Sequence, residues 1–95
     1  MTKAVKNAVV FVRGADVRNQ LDLCKAYTEE KGYKVAGVIL GKGKELKEVI
    51  AGLDIKVDVV VTKDVTRISR NSLEYFQIHN DLLTNHGCVI ESAVL

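Results

Sequence analysis

The 95-residue chain has no proline, no tryptophan, a single methionine and only three tyrosines and two phenylalanines. No linker, low-complexity tract or internal repeat interrupts it, which excludes two domains and leaves one compact unit. A chain of this length buries roughly 60 to 70% of its unfolded surface, enough for one modest core without disulfide or metal staples. The two cysteines, Cys24 and Cys88, have no Cys-x-x-Cys or Cys/His metal spacing and form no disulfide framework, so both read as small core residues. No apolar run approaches the roughly 18 to 20 residues of a membrane span, and no secretory pattern follows Met1-Thr2-Lys3. A cytoplasmic protein without membrane contact is expected. The scarcity of aromatics assigns Tyr27, Tyr33 and Tyr75 to packing rather than base stacking. His79 and His86 lie seven apart with no cysteine or carboxylate at ligand spacing, so no metal or cofactor is expected. His86, just before Gly87, is expected near the carbonyls of a helix end.

The net charge of +2 does not mark a nucleic-acid binder, but the charge is unevenly spread. Residues 1–70 hold all 14 Lys and Arg against nine acids, whereas residues 71–95 hold three acids and no Lys or Arg. The basic surface therefore belongs to the first three quarters of the chain, a weak pointer to an anionic partner beside the simpler reading of a solvated face.

Two hydrophobic periods alternate. Ala8 to Val12 is a continuous, β-branched run that suits a strand covered on both faces. Asp16 is placed to cap a helix carrying Val17, Leu21, Cys24 and Tyr27, which Gly32 ends. Val35 to Leu40 reads as a second strand, Leu46, Val49, Ile50 and Leu53 as a second helix, and Val57 to Thr62 as a third strand. From about Asn71 a longer helix carries Leu73, Phe76, Ile78, Leu82 and Leu83, stops at Gly87, and gives way to a fourth strand over Cys88 to Leu95. The βαβαβαβ order predicts a three-layer α/β/α sandwich with a four-stranded, mainly parallel sheet.

In such a sheet, ligands bind where loops leave the carboxyl ends of the strands. Those loops bring Arg13, Arg18, Lys42, Lys44, Lys63, Arg67 and Arg70 towards one rim, beside helix amino termini that favour anions. Gly41-Lys42-Gly43-Lys44 lacks the spacing of a nucleotide-wrapping phosphate loop and reads as a tight turn. The most informative stretch is Thr62-Lys63-Asp64-Val65-Thr66-Arg67-Ile68-Ser69-Arg70-Asn71. Two arginines three apart can share a face and offer bidentate, permanently charged hydrogen bonding to phosphate. The competing reading pairs them with acids such as Asp64 and Glu74.

These segments, in order, resemble the amino-terminal catalytic domain of the serine recombinases, the resolvase and invertase family. Phe11-Val12-Arg13, a short polar turn and Gln20-Leu21-Asp22-Leu23-Cys24 resemble its first strand and helix, and Glu29-Glu30-Lys31-Gly32-Tyr33 the helix end. Asp58-Val59-Val60-Val61 through Arg67-Ile68-Ser69-Arg70-Asn71 resembles its arginine motif, and Leu82-Leu83 to Gly87-Cys88-Val89-Ile90-Glu91-Ser92 the helix and strand that follow. The resemblance implies metal-free chemistry in which a serine attacks a DNA phosphodiester, forms a phosphoserine link, and is aided by arginines corresponding to Arg13, Arg67 and Arg70.

It also implies that the serine should stand two residues after Arg13, where this chain has Ala15. Ser69, Ser72 and Ser92 are weak substitutes. Between Leu40 and Leu46 there is only Gly-Lys-Gly-Lys-Glu, where the family has a longer loop with an aspartate and a further arginine, and Thr66 replaces an acid found in many members. Against the family's pattern, the sequence to Leu95 lacks the later dimerisation helices and the DNA-binding region, so a complete recombinase is not expected. The expected function is a catalytically inactive, resolvase-like module with no catalytic residue, touching the DNA backbone weakly and salt-sensitively through Arg13, Arg18, Lys63, Arg67 and Arg70. A full-length recombinase or a second copy of the chain is the expected protein partner. Two other readings stay open: a fragment or nucleophile-lacking variant of an active serine recombinase, and a small phosphate- or nucleotide-binding domain.

Overall fold

The computed structural model describes residues 5–94, apart from the side chain of Lys44. Four strands, β1 (Asn7–Val12), β2 (Lys34–Leu40), β3 (Val59–Thr62) and β4 (Val89–Ser92), alternate with three helices, α1 (Val17–Lys31), α2 (Leu46–Ala51) and α3 (Ser72–His86). Every strand pair is parallel, in the order β2-β1-β3-β4. The three-layer α/β/α sandwich expected from the sequence is the observed architecture.

The side chains of β1 divide by parity between two cores, as the two-residue strand period requires. Ala8, Val10 and Val12 join Cys24, Val59 and Val61 beneath α1, while Val9 and Phe11 join Leu46, Ile50, Val60, Ile68, Leu82 and Cys88 beneath α2 and α3. The continuous apolar run of β1 thus reflects burial on both faces. Cys24 and Cys88 are free, buried and on opposite sides of the sheet. Burial pushes both thiols up to about 11, which leaves them protonated and unreactive at neutral pH.

Helix ends follow the sequence in most respects. Gly32 and Gly87 adopt left-handed φ of 74° and 62°, and each closes its helix with backbone hydrogen bonds from itself and the next residue. Asn71 caps α3 by accepting from the Glu74 amide at 3.1 Å. Asp16 departs from expectation. At φ −99° and ψ 48° its carboxylate makes no capping bond and instead accepts from the Asn19 side-chain amide at 3.0 Å. The second helix ends at Ala51 rather than Leu53 and follows a 3-10 turn over Gly43–Glu45. The third strand starts at Val59 rather than Val57, and the fourth covers Val89–Ser92 rather than Cys88 to Leu95, Leu95 itself lying outside the described residues.

On the α1 side, Tyr27 and Tyr33 hydroxyls both donate to Glu91 Oε1, at 2.7 and 2.8 Å. Their rings meet edge to face at 6.4 Å, so these tyrosines tie α1 and the start of β2 to β4 across the sheet. Burial, then the Glu91 hydrogen bond and charge, push the Tyr27 phenol up to about 12. Replacing Glu91 by Gln removes the charge, and ultraviolet titration should then find the phenol between its ordinary 10.0 and about 12. An unmoved titration would disconnect Glu91 from both rings.

Candidate phosphate-binding cleft

Three loops leave the carboxyl ends of β1, β2 and β3 and surround one open cleft of about 580 Å³. Arg13 and Gly14 come from the first loop, Lys42 and Gly43 from the second, and Thr66, Arg67, Ser69, Arg70 and Glu74 from the third and the first turn of α3. The cleft sits where strand order reverses: the chain moves from β1 outward to β2, then crosses to β3 on the other side of β1. Diverging connections leave room there, so this edge is the natural ligand position of a doubly wound sheet.

The first wall is held from beneath. Gln20, fully buried on α1, accepts from the Arg13 amide at 3.1 Å and donates through Nε2 to the Arg13 carbonyl at 2.8 Å. Gly14 turns the chain with φ 96°, and a Cβ there would come within 3.2 Å of Arg67 Nη1. Arg67 Nη1 reaches the Arg13 carbonyl at 3.5 Å, joining the first and third loops, while the buried Arg67 Nε has no hydrogen-bond partner among the described residues. The Arg67 guanidinium thus bridges the first and third loops at the wall of the cleft.

The third loop is a short 3-10 turn, Val65–Arg67, capped by Asp64. Asp64 Oδ1 accepts from the Thr66 amide at 3.0 Å and, at short range, from the Thr66 hydroxyl. The Thr66 hydroxyl bond, with help from Arg67 and Lys63, holds the Asp64 carboxyl below its ordinary 3.8 against the opposing effect of burial. Ser69 Oγ is engaged in the next turn, 3.1 Å from the Asn71 amide it accepts from and 3.2 Å from the Asn71 carbonyl. Both hydroxyls of the cleft wall are therefore bonded within their own loop.

Among the described residues the only ion pair joins Lys47 to Asp81 at 3.9 Å, so Arg67 and Arg70 do not pair with Asp64 or Glu74 as the competing reading required. Arg13, Arg67 and Arg70 do meet, as their spacing suggested. Arg18, exposed in the first turn of α1, and Lys63, half-buried after β3, are not in the cleft wall. Ala15 is exposed in the loop after β1 and does not line the cleft either. Lys42 lines it, in keeping with its place among the rim cations of the sequence; the Lys44 side chain lies outside the described residues. Gln20 carries no chemical signature in sequence. The only hint is a carboxamide at position 20 beside the apolar stripe of Val17, Leu21 and Cys24.

The profile of the family described as the resolvase N-terminal domain matches residues 11–94. Among solved structures, the chain is similar to the N-terminal catalytic domain of TP901-1 integrase, with a TM-score of 0.77 and 19% identity over 93% of this chain and 77% of that one. No curated protein matches the sequence. Among the described residues, no helix is long and apolar enough to cross a membrane.

Proposed function

Because the chain belongs to the resolvase family by its N-terminal domain, a domain related to site-specific recombination, we propose that it is a catalytically silent member that grips the DNA backbone without cutting it. The observation that carries this reading is the meeting of Arg13, Arg67 and Arg70 in one cleft whose own hydroxyls are both engaged elsewhere. Fixed guanidinium groups suit a phosphodiester, whose charge is permanent and whose non-bridging oxygens accept paired hydrogen bonds. Covalent chemistry needs a free nucleophile and a base near the working pH. Ala15, at the position the family likeness gives to the nucleophile, has no oxygen, and Asp64, the carboxylate on the Thr66 hydroxyl, is held too acidic to take its proton efficiently. Arg18 and Lys63 add charge to the same sheet edge and are assigned to neighbouring phosphates. The biological role that follows is regulatory: the domain associates with DNA, a full-length recombinase or a second copy of itself without exchanging strands.

Titration of a fluorescent DNA duplex at low and moderate salt tests the reading. Affinity should fall steeply with salt, since phosphate neutralisation releases counterions. Arg67→Ala with Arg70→Ala should weaken binding by about a hundredfold, since each charged hydrogen bond contributes about 1.5 to 3 kcal/mol. Binding equal in both proteins removes the arginine cleft from the account, and binding absent from both removes DNA and directs the search to a protein partner. A covalent protein–DNA product on a supercoiled plasmid would overturn catalytic silence.

A further inference from the structure

We infer that Gln20 is a positioning residue of the arginine cleft: its carboxamide fixes the Arg13 backbone, and the Arg13 carbonyl in turn fixes the orientation of the Arg67 guanidinium at the cleft wall. The inference rests on the reading of the cleft as a phosphate site. A primary amide buried at 0% exposure on the core side of α1 is costly unless its polar atoms are bonded. Here both bonds of Gln20 go to the backbone of one residue seven positions earlier, at 3.1 and 2.8 Å, and that residue is the first arginine of the cleft. The bonds continue the hydrogen-bonded end of β1 through a side chain, where the strand has no further neighbour to pair with. One acceptor and one donor on two atoms of a single plane are required, which a carboxamide supplies and a carboxylate or ammonium does not.

The same Arg13 carbonyl has a second caller. Arg67 Nη1 lies 3.5 Å from it, a long contact that Gln20 Nε2, the closer donor, keeps in place by holding the carbonyl still. The Arg67 side chain also lies across Gly14, where any Cβ would press on Nη1 at 3.2 Å, so its path is defined on two sides. Helix α1, which contributes no side chain to the cleft wall, thereby sets the height and direction of two of its three arginines.

Two variants of the whole chain test this, each compared with the wild type at every pH so that other titrating groups cancel. Gln20→Leu removes both bonds while keeping the volume nearly constant. In the folded, unliganded protein the Arg67 Nε–H resonance should move, and affinity for the fluorescent duplex should fall about tenfold. Gln20→Glu adds a readout that a merely structural role would not move. A buried carboxyl titrates high. Protonated, it accepts from the Arg13 amide and donates to the Arg13 carbonyl as the amide did; ionised, it loses the donor. Duplex affinity of Gln20→Glu, relative to wild type, should therefore recover between about pH 8 and about pH 5, with the Arg67 Nε–H signal returning to its wild-type position. Gln20→Leu should show no such recovery.

An Arg67 signal unmoved in both folded variants overturns the inference, as does a Gln20→Glu affinity that tracks Gln20→Leu at every pH. If the wild type fails to bind the duplex, the reading of the cleft falls, and the Arg67 resonance alone decides the positioning role. If Gln20→Leu does not fold, the pH course of Gln20→Glu relative to wild type decides it.

Discussion

Gly43→Ala should lower the melting temperature by about 15 °C or more and loosen the cleft at the same time. An added Cβ at residue 43 would lie 2.7 Å from the Ile68 carbonyl carbon and closer still to its oxygen, so the obstacle is backbone and cannot swing aside. Gly43 has no left-handed φ, and the requirement is space alone. Ile68 is buried between Arg67 and Arg70, and its displacement moves the loop that carries both. Overpacking of this kind costs about 3 kcal/mol, and each kcal/mol shifts the melting point of a domain this small by about 4 to 8 °C. Gly52→Ala is the control, since its Cβ would meet only ordinary contacts at 3.5 Å and beyond. Thermal unfolding followed by circular dichroism reads both. A Gly43→Ala midpoint equal to that of Gly52→Ala would show that the second and third loops do not approach as described.

Leu82→Ala should be at least as damaging to stability and harmless to binding. Leu82 is the one buried residue of α3 and is wholly inaccessible, packed with Leu46, Ile50 and Val60 in the core beneath α2 and α3. Truncating it leaves a cavity that costs about 3 to 4 kcal/mol. That is a large part of a total stability on the order of 5 to 15 kcal/mol. The cleft end of α3 is remote: from Ser72 to Leu82 the helix rises about 15 Å at about 1.5 Å per residue. Below its lowered midpoint the variant should bind the fluorescent duplex as tightly as the wild type. A large loss of affinity in the folded variant would mean that α3 positions Arg70 through its whole length and not through the Asn71 cap.

Features decided by local chemistry were legible in the sequence. The doubly buried run of β1, the glycines that close α1 and α3, and the start of α3 near Asn71 all follow from neighbours within a few residues. The convergence of Arg13 with Arg67 and Arg70 was legible too, because parallel strands put their following loops on one edge. What escaped depends on the meeting of distant segments. The capping competence of Asp16 was lost to a ψ of 48°, which residue type alone does not determine. The approach of Gly43 to Ile68, 25 residues on, escaped because a Gly-Lys-Gly stretch says nothing of that neighbour, although Lys42 itself was among the rim cations. Gln20 escaped because a buried amide resembles a misplaced polar residue until the backbone it serves is known.

The strand order has a kinetic consequence. The central pair of the sheet, β1 and β3, joins Ala8 to Val59 and Phe11 to Thr62, partners about fifty residues apart. Closing so long an interval carries an entropic cost of a few RT before any contact compensates for it, whereas β1 can meet β2 across the shorter α1 connection. The first half of the chain can therefore collapse as a β1-α1-β2 unit that already holds the Gln20–Arg13 clasp. The second half must then dock β3 on the free side of β1. Arg67 and Arg70 arrive only with that docking, so the three arginines come together only once β3 is in place beside β1.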